Sequence, residues 1–307
     1  MGPEHVRENT PGKKERAEPM SLRLILFISL IFVFITTLTV PVDADESGVS
    51  SKPQQAEHVL ATLGSPVITA SPGQRIPLIL SLRADDTWHL YWSNPGDSGM
   101  PPRIRMDLPD GVSQDGEWIL PPPRHLIAGG MGTLVLDHDV ILLTYLQISD
   151  SIDAEHIAIS LRGEWLVCDD HMCLPGNAAM ELTIPLGTSS MASSGAWHDR
   201  LQTAKERAAQ TLEQQPLAHY ANDTVVIPIP DAVHAAADRV IFAPSTTRII
   251  NLSTPQNMGA DNGSAILTLS SAFTQPPETL QGLLVGLDAE GYPMASWELS
   301  APLTAGE

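Results

Sequence analysis

The chain has 307 residues, of which 43% are hydrophobic and 17% charged, so it is too apolar for disorder and long enough for two domains. Seventeen Lys and Arg residues against 36 Asp and Glu residues give a formal net charge of −19, which repels phosphate backbones and excludes nucleic acid as a partner. Two cysteines exclude a disulfide-dense scaffold and a four-cysteine zinc site, but they permit one disulfide or one dithiol.

The N-terminus has the pattern of an export signal. An apolar run from Leu24 to Ile35 follows Arg23, and a Val-Asp-Ala sequence with small residues at the cleavage positions ends at Ala44. We therefore expect residues 1–44 to be a signal peptide cleaved after Ala44, with Met20 as an alternative start, and the mature chain to be periplasmic. An uncleaved N-terminal membrane anchor is the alternative.

The mature chain begins with a polar segment and continues as a β domain. Residues 45–56 are rich in Ser and Gln and are predicted to be a flexible leader. Residues 57–187 contain short apolar runs separated by turn sequences such as Ser-Pro-Gly and Asn-Pro-Gly-Asp, which predicts an antiparallel β-sandwich. The predicted strands are His58–Leu63, Arg75–Arg83, Trp88–Trp92, Ile104–Leu108, Val135–Gln147, Ile157–Arg162, Trp165–Cys168 and Ala179–Pro185.

One helix and a second β domain follow. Within the linker, residues 188–221, apolar residues recur at helical spacing until Pro216, which predicts an amphipathic helix that packs against the sandwiches. The residues of this stripe are Trp197, Leu201, Ala204, Ala208 and Leu212. Residues 222–303 again show strand-like runs, including one at Arg248–Leu252, and are predicted to form a second, smaller sandwich without cysteines. The predicted fold class is therefore all-β, with two sandwich domains joined by a linker that contains one helix.

Both cysteines lie in one short segment, Trp165 to Gly176. If Cys168 and Cys173 are the last facing pair before a four-residue hairpin loop, their Cα atoms lie about 4.5–5.5 Å apart, within the range that a disulfide needs. A loop this short gains only about 2 kcal/mol from the bond in the chain-entropy account. The sequence therefore allows a structural bridge or a redox-active pair. Exchange between disulfide and dithiol would require no cofactor.

A third interpretation involves a metal ion. His171 and Met172 lie between Cys168 and Cys173, and thiolate, thioether and imidazole together form a soft ligand set that suits Cu(I). The alternative function is therefore a non-enzymatic periplasmic copper-binding or protein-binding module with a structural disulfide.

Three segments together resemble a known family. They are Trp88–Ile104 (WHLYWSNPGDSGMPPRI), Gly163–Gly176 (GEWLVCDDHMCLPG) and Trp297–Leu303 (WELSAPL). They resemble the N-terminal periplasmic region of the DsbD/ScsB family of transmembrane thiol-disulfide reductases, and the resemblance extends from His58 to Leu303. It implies an immunoglobulin-like fold in which Cys168 and Cys173 form the redox-active pair.

The resemblance also implies partners. A membrane-embedded thiol-disulfide reductase domain would supply electrons, and periplasmic thioredoxin-like proteins of disulfide isomerisation, cytochrome c maturation or copper tolerance would accept them. The protein would then be a component of a protein-disulfide reductase. This sequence departs from the family pattern in two places: four residues rather than three separate the cysteines, and the cap-like segment His125–Leu136 has glycines where relatives carry aromatics. The sequence reaches Glu307 without a membrane domain, so either a separate chain donates electrons or the protein has another role.

Overall fold

A computed structural model describes residues 48–237, 239–259, 263–268 and 276–306. The predicted signal peptide and its cleavage site lie outside these residues. Within the described ranges, no helix is both long and apolar enough to span a membrane.

Strands dominate the described chain, which confirms the predicted all-β class with immunoglobulin-like sandwich sheets. The strands are β1 Val49–Ser50, β2 Gln54–Ala56, β3 Val59–Ser65, β4 Val67–Thr69, β5 Arg75–Ala84, β6 His89–Gly96, β7 Arg103–Asp107, β8 Val112–Ile119, β9 Arg124–Ala128, β10 Met131–Asp137, β11 Asp139–Ile148, β12 His156–Cys168, β13 Cys173–Pro185, β14 Met191–Ala192, β15 Gln210–Thr211, β16 Ala218–Ala221, β17 Thr224–Pro228, β18 Arg239–Pro244, β19 Asn257–Gly259, β20 Ser264–Thr268, β21 Thr279–Leu287 and β22 Pro293–Ala305. The helices are α1 Ala196–Arg207 and α2 Asp231–His234.

Two antiparallel sheets form the first sandwich. The first sheet has the strand order β1-β3-β5-β11-β8, with β2 paired to β3, and the second has the order β13-β12-β6-β10-β9, with β7 paired to β12. Alternate residues of each sheet point into one shared core, which includes Leu78 and Leu80 of β5 and Ile157 and Ile159 of β12. Side chains of this size contribute about 1.5–3 kcal/mol each when fully buried, so this core holds the two sheets face to face.

Helix α1 covers the outer face of the first sheet. Its residues Trp197 and Leu201 pack against Ile79 and Ile141 in a small cluster of their own. The indole ring of Trp197 lies so close to Gly64 that a Cβ there would come within 2.3 Å of the ring. The helix ends at Arg207, before the end of the predicted apolar stripe, because the chain next enters β15 and pairs in parallel with β22.

The strands from Gln210 to Ala305, here called the second β region, form one eight-stranded sheet in the order β18-β21-β22-β16-β17-β20-β19, with β15 paired to β22. Its buried residues, such as Phe242 and Leu284, belong to the same apolar cluster as the core of the first sandwich. The segment Asp45–Glu307 forms one compact unit. The predicted division into residues 57–187, 188–221 and 222–303 stays a prediction.

Several local expectations differ from the structure. Part of the expected leader forms β1 and β2, which pair with β3 because Ser51 is buried and its hydroxyl accepts a hydrogen bond from the Leu63 N–H. The predicted strand Val135–Gln147 is two strands in different sheets, because the chain turns at His138, where φ is +48°. Residues Arg248–Leu252 lie in a turn segment rather than a strand.

Candidate active site

The two cysteines close the longest hairpin of the second sheet. Strands β12 and β13 pair in one unbroken antiparallel register from His156 opposite Pro185 to Cys168 opposite Cys173. Cys168 and Cys173 form a disulfide, with their Cα atoms 4.1 Å apart. The expected arrangement, in which the cysteines are the last facing pair before a four-residue loop, is therefore present, at a slightly shorter Cα separation than expected.

The two sulfur-bearing residues have opposite environments. Cys168 is 1% exposed and packs in a small apolar cluster with Tyr91 and Val135, against which Leu126 also lies. Cys173 is exposed on the other strand of the hairpin. A thiolate of another protein must approach the sulfur that it attacks, so the exposed Cys173 is more accessible to a partner than the buried Cys168.

The loop between the cysteines is held by its first residue. The Asp169 carboxylate accepts hydrogen bonds from the N–H groups of His171 and Met172, both at 2.8 Å, and the Asp169 N–H donates to the Met172 carbonyl at 3.0 Å. The hydrogen bond from His171 is the first cause that lowers the pKa of Asp169, followed by the one from Met172. The carboxylate thus stabilises the backbone of the loop between the two cysteines.

Tyr91 is the polar group closest to the buried sulfur. It lies on β6, next to the end of β12, and its hydroxyl donates to Cys168 Sγ at 3.0 Å while lying 4.0 Å from Cys173 Sγ. Burial raises the pKa of the Tyr91 phenol, so this group remains a donor at neutral pH. A donor at this position stabilises negative charge on Cys168 Sγ when the disulfide opens.

His89 lies directly beside the disulfide in the sheet, because it pairs with Cys168 across β6 and β12. Its ring is 8% exposed and meets the Tyr91 ring edge-on, with the ring centroids 5.5 Å apart. Burial lowers the pKa of His89, while Asp137 acts in the opposite direction. The imidazole is therefore neutral at pH 7 and adds no positive charge to stabilise a Cys168 thiolate.

Strands β9 and β10, here called the cap hairpin, form one wall of a pocket beside the disulfide. The pocket has a volume of about 360 Å³, and both cysteines are among the residues that line it. Met131 and Met172 are exposed at its rim, with 46% and 54% of their surface accessible. The other lining residues are His89, Tyr91, Ser98, Leu126, Ala128, Gly129, Thr133, Asp169, Asp170 and His171.

The structure brings together the predicted site residues and adds others. Cys168 and Cys173 are bonded, and His171 and Met172 lie in the exposed loop beside them. In this disulfide form the two sulfurs are bonded to each other and offer no thiolate, so the predicted Cu(I) set would require the reduced pair. Among the described residues, no group of three or more His, Cys, Asp and Glu side chains is arranged to hold a metal ion.

Tyr91 and His89 are site residues that lie within the predicted strand Trp88–Trp92 and were not predicted to belong to the site. Side chains alternate between the two faces of a strand, so both residues lie on the face opposite Trp88, Leu90 and Trp92. The structure shows that this second face carries the disulfide. A His and a Tyr together on the outer face of an otherwise apolar strand were the available signal.

The buried histidines predict a loss of stability in mild acid. Burial lowers the pKa of His89 and of His125 below 6.5, the value expected in the unfolded chain. Protons then bind preferentially to the unfolded chain, so the stabilisation present above pH 6.5 is lost as the pH falls below it. We expect the denaturant midpoint of the oxidised protein to decrease from pH 7.5 to 5.5, and to decrease less in a His89→Gln variant. An equal decrease of the midpoint in the two proteins would contradict the assignment of this effect to His89.

An exposed disulfide sulfur, a shielded partner sulfur and a hydrogen-bond donor to the shielded one define a protein suited to thiol–disulfide exchange. The comparisons with known proteins agree. Residues 60–185 match the family described as thiol:disulfide interchange protein DsbD, N-terminal. This part of the chain is therefore similar to the N-terminal region of the DsbD/ScsB family, and together with the Cys168–Cys173 disulfide this similarity supports thiol–disulfide interchange.

The fold is shared with a solved structure. The N-terminal periplasmic domain of ScsB from Proteus mirabilis aligns with a TM-score of 0.59 at 13% identity, over 85% of this chain and 100% of that chain. The reduced DsbD N-terminal domain of Neisseria meningitidis aligns over 45% of this chain and 92% of that chain, at 13% identity and a TM-score of 0.27, which is too low to compare the folds in detail. No curated protein matches this chain significantly in sequence.

Proposed function

We propose that this protein is a periplasmic electron carrier that exchanges its Cys168–Cys173 disulfide with the thiols of partner proteins. The observation that carries the proposal is the asymmetry of the bond, in which Cys173 is exposed beside an open pocket and Cys168 is buried. A bridge that served only stability would need no such pocket, and a hairpin held by a continuous ladder of paired residues has little need of a bridge at its end.

Reduction proceeds in two steps. A donor thiolate attacks Cys173 Sγ, the Cys168–Cys173 bond breaks, and Cys168 leaves as a thiolate that accepts the hydrogen bond of Tyr91. The second thiolate of the donor then attacks the donor sulfur of the mixed disulfide and releases Cys173. The donor ends as a disulfide and this protein as a dithiol, with two electrons transferred.

Delivery runs the same steps in reverse. The Cys173 thiolate attacks the disulfide of an acceptor, and the Cys168 thiolate then attacks Cys173 Sγ, which restores the bond and leaves the acceptor reduced. We infer that the donor is a membrane-embedded thiol-disulfide reductase domain and that the acceptors are periplasmic thioredoxin-like proteins. In this role the protein is a component of a protein-disulfide reductase, and its processes include disulfide isomerisation, cytochrome c maturation or copper tolerance.

The reduction potential tests this function. The mature chain is equilibrated in buffers with defined ratios of reduced and oxidised dithiothreitol, and the fraction of dithiol is measured by alkylation and mass spectrometry. We expect a midpoint above about −300 mV, in the range of disulfides that exchange with partners. A pair that stays oxidised below about −300 mV would be a structural bridge and would favour the alternative, a copper-binding or protein-binding module.

A further inference from the structure

The two faces of the cap hairpin make different contacts. Along β9, Leu126 and Ala128 line the pocket of the disulfide, and in β10 Met131 and Thr133 do the same. Side chains alternate between the faces of a strand, so the positions next to these residues, including His125 and Gly132, lie on the opposite face of the cap hairpin.

The second β region contacts this opposite face. Nε2 of His125 donates a hydrogen bond to the Leu252 carbonyl at 2.7 Å. The same carbonyl lies against Gly132, where an added Cβ would be 1.7 Å from the Leu252 oxygen. Only a glycine permits this approach, because a Cβ at Gly132 would displace the backbone of the second β region.

Leu252 is itself held firmly. It is 3% exposed and follows Asn251, whose side chain accepts a hydrogen bond from the Ser253 N–H at 3.0 Å. The Asn251 N–H donates to the Thr268 carbonyl of the neighbouring strand at 2.7 Å. The turn therefore presents the Leu252 carbonyl from a fixed position in the second β region.

A second contact anchors the end of β6 in the first sandwich. The side-chain amide of Asn94, 1% exposed, donates to the carbonyls of Pro244 at 2.7 Å and Thr246 at 3.3 Å. Three residues further on, the Asp97 carboxylate accepts a hydrogen bond from the Gly132 N–H at 2.8 Å. The second β region thus contacts the cap hairpin directly through Leu252 and indirectly through Asn94 at the end of β6.

We propose that the second β region braces the cap hairpin over Cys168 through the His125–Leu252 contact and so restricts attack to Cys173. This inference rests on the exchange function proposed above and assigns positioning roles to His125 and Gly132. Among its described residues, the second β region contributes none to the pocket beside the disulfide. By keeping Leu126 and Val135 against Cys168, it makes the disulfide reactive from one side.

The test measures how easily Cys168 is reached. In a Cys173→Ser background the Cys168 thiol is alkylated with iodoacetamide across a range of pH, which separates the thiol pKa from the limiting rate. We expect His125→Leu to raise the limiting rate about 2- to 10-fold, the effect of losing one neutral hydrogen bond. His125→Gln keeps a donor at the position of Nε2 and is expected to retain the parent rate.

Matched substitutions away from the contact control for general loosening. His156→Leu replaces an exposed histidine at the far end of β12, and Gly306→Ala adds a methyl group where the nearest atoms lie at 3.5 Å. Neither is expected to change the rate, whereas Gly132→Ala is expected to increase it. Should Gly132→Ala not fold, the three histidine variants decide the question alone.

The proposed brace would be contradicted if His125→Leu and the parent were alkylated at equal rates. It would also be contradicted if His125→Leu and His156→Leu accelerated alkylation equally. Acceleration by His125→Gln as large as that by His125→Leu would also overturn it, since the hydrogen bond would then not be responsible. These outcomes leave the exchange function untouched. A wild-type disulfide that stays oxidised below about −300 mV would contradict the exchange function. The alkylation rates would still test the brace in that case.

Discussion

Replacing Cys173 by Ser is expected to abolish exchange with protein partners, while replacing Cys168 by Ser is expected to trap a partner in a stable mixed disulfide. The two variants have the same composition, but the first leaves a thiol that is 1% exposed and the second leaves an exposed one. Only the exposed Cys173 can attack a partner disulfide, and without Cys168 nothing in this chain resolves the product.

Non-reducing electrophoresis with a thioredoxin-fold protein activated as a mixed disulfide with thionitrobenzoate measures both outcomes. The Cys168→Ser variant should form a covalent adduct, and release of the yellow thionitrobenzoate anion gives its rate. The Cys173→Ser variant should react at least about 100-fold more slowly, because reaction requires the cap hairpin or its surroundings to open first, at a cost of several kcal/mol. Similar rates for the two variants would show that burial of Cys168 does not direct the attack.

Replacing Tyr91 by Phe is expected to slow reduction of the disulfide about 10- to 100-fold. The hydroxyl contacts a neutral sulfur in the resting disulfide, but it faces a developing thiolate when Cys173 is attacked and Cys168 leaves. A hydrogen bond to a charged group contributes about 1.5–3 kcal/mol. An interaction that is stronger in the transition state than in the ground state lowers the barrier.

The rate of reduction by excess dithiothreitol, followed by intrinsic fluorescence or quenched alkylation, measures this effect. The matched control is Tyr145→Phe, because Tyr145 lies on β11 against the helix-covered face and keeps Arg75 above its ring without the hydroxyl. The Tyr91→Phe protein should also show a raised pKa for the Cys168 thiol in its reduced form. An unchanged rate together with an unchanged thiol pKa would remove Tyr91 from the mechanism.

Much of this site could be predicted from local sequence. The spacing of Cys168 and Cys173 between two strand-like runs was sufficient to predict that they face each other across a hairpin, because register in a hairpin is a local property. The same holds for the β class of both regions, which follows from short apolar runs separated by turn residues.

What could not be predicted depends on contacts between distant segments. Tyr91 lies 77 positions from Cys168 in the chain, and nothing in the spacing indicates that β6 pairs with the end of β12. Strand β8 was not predicted because its sequence, VSQDGEWI, is mostly polar and exposed, as on the edge of a sheet. The hydrogen bond between His125 and Leu252 spans 127 positions in the sequence. Its acceptor is a backbone carbonyl, which every residue has, so the type of residue at position 252 does not indicate the contact.

The long β12–β13 hairpin has a further consequence for the reduced protein. Twelve paired positions below the cysteines hold the same register whether or not the two sulfurs are bonded. The thiols of the reduced form therefore stay within about one side-chain length of each other, at an effective concentration far above that of any thiol in solution. The two thiols therefore need no rearrangement of the backbone to form the disulfide again. The hairpin makes formation of the Cys168–Cys173 bond fast and so keeps the lifetime of a mixed disulfide short. A carrier of this kind releases its partner before another thiol can attack the mixed disulfide.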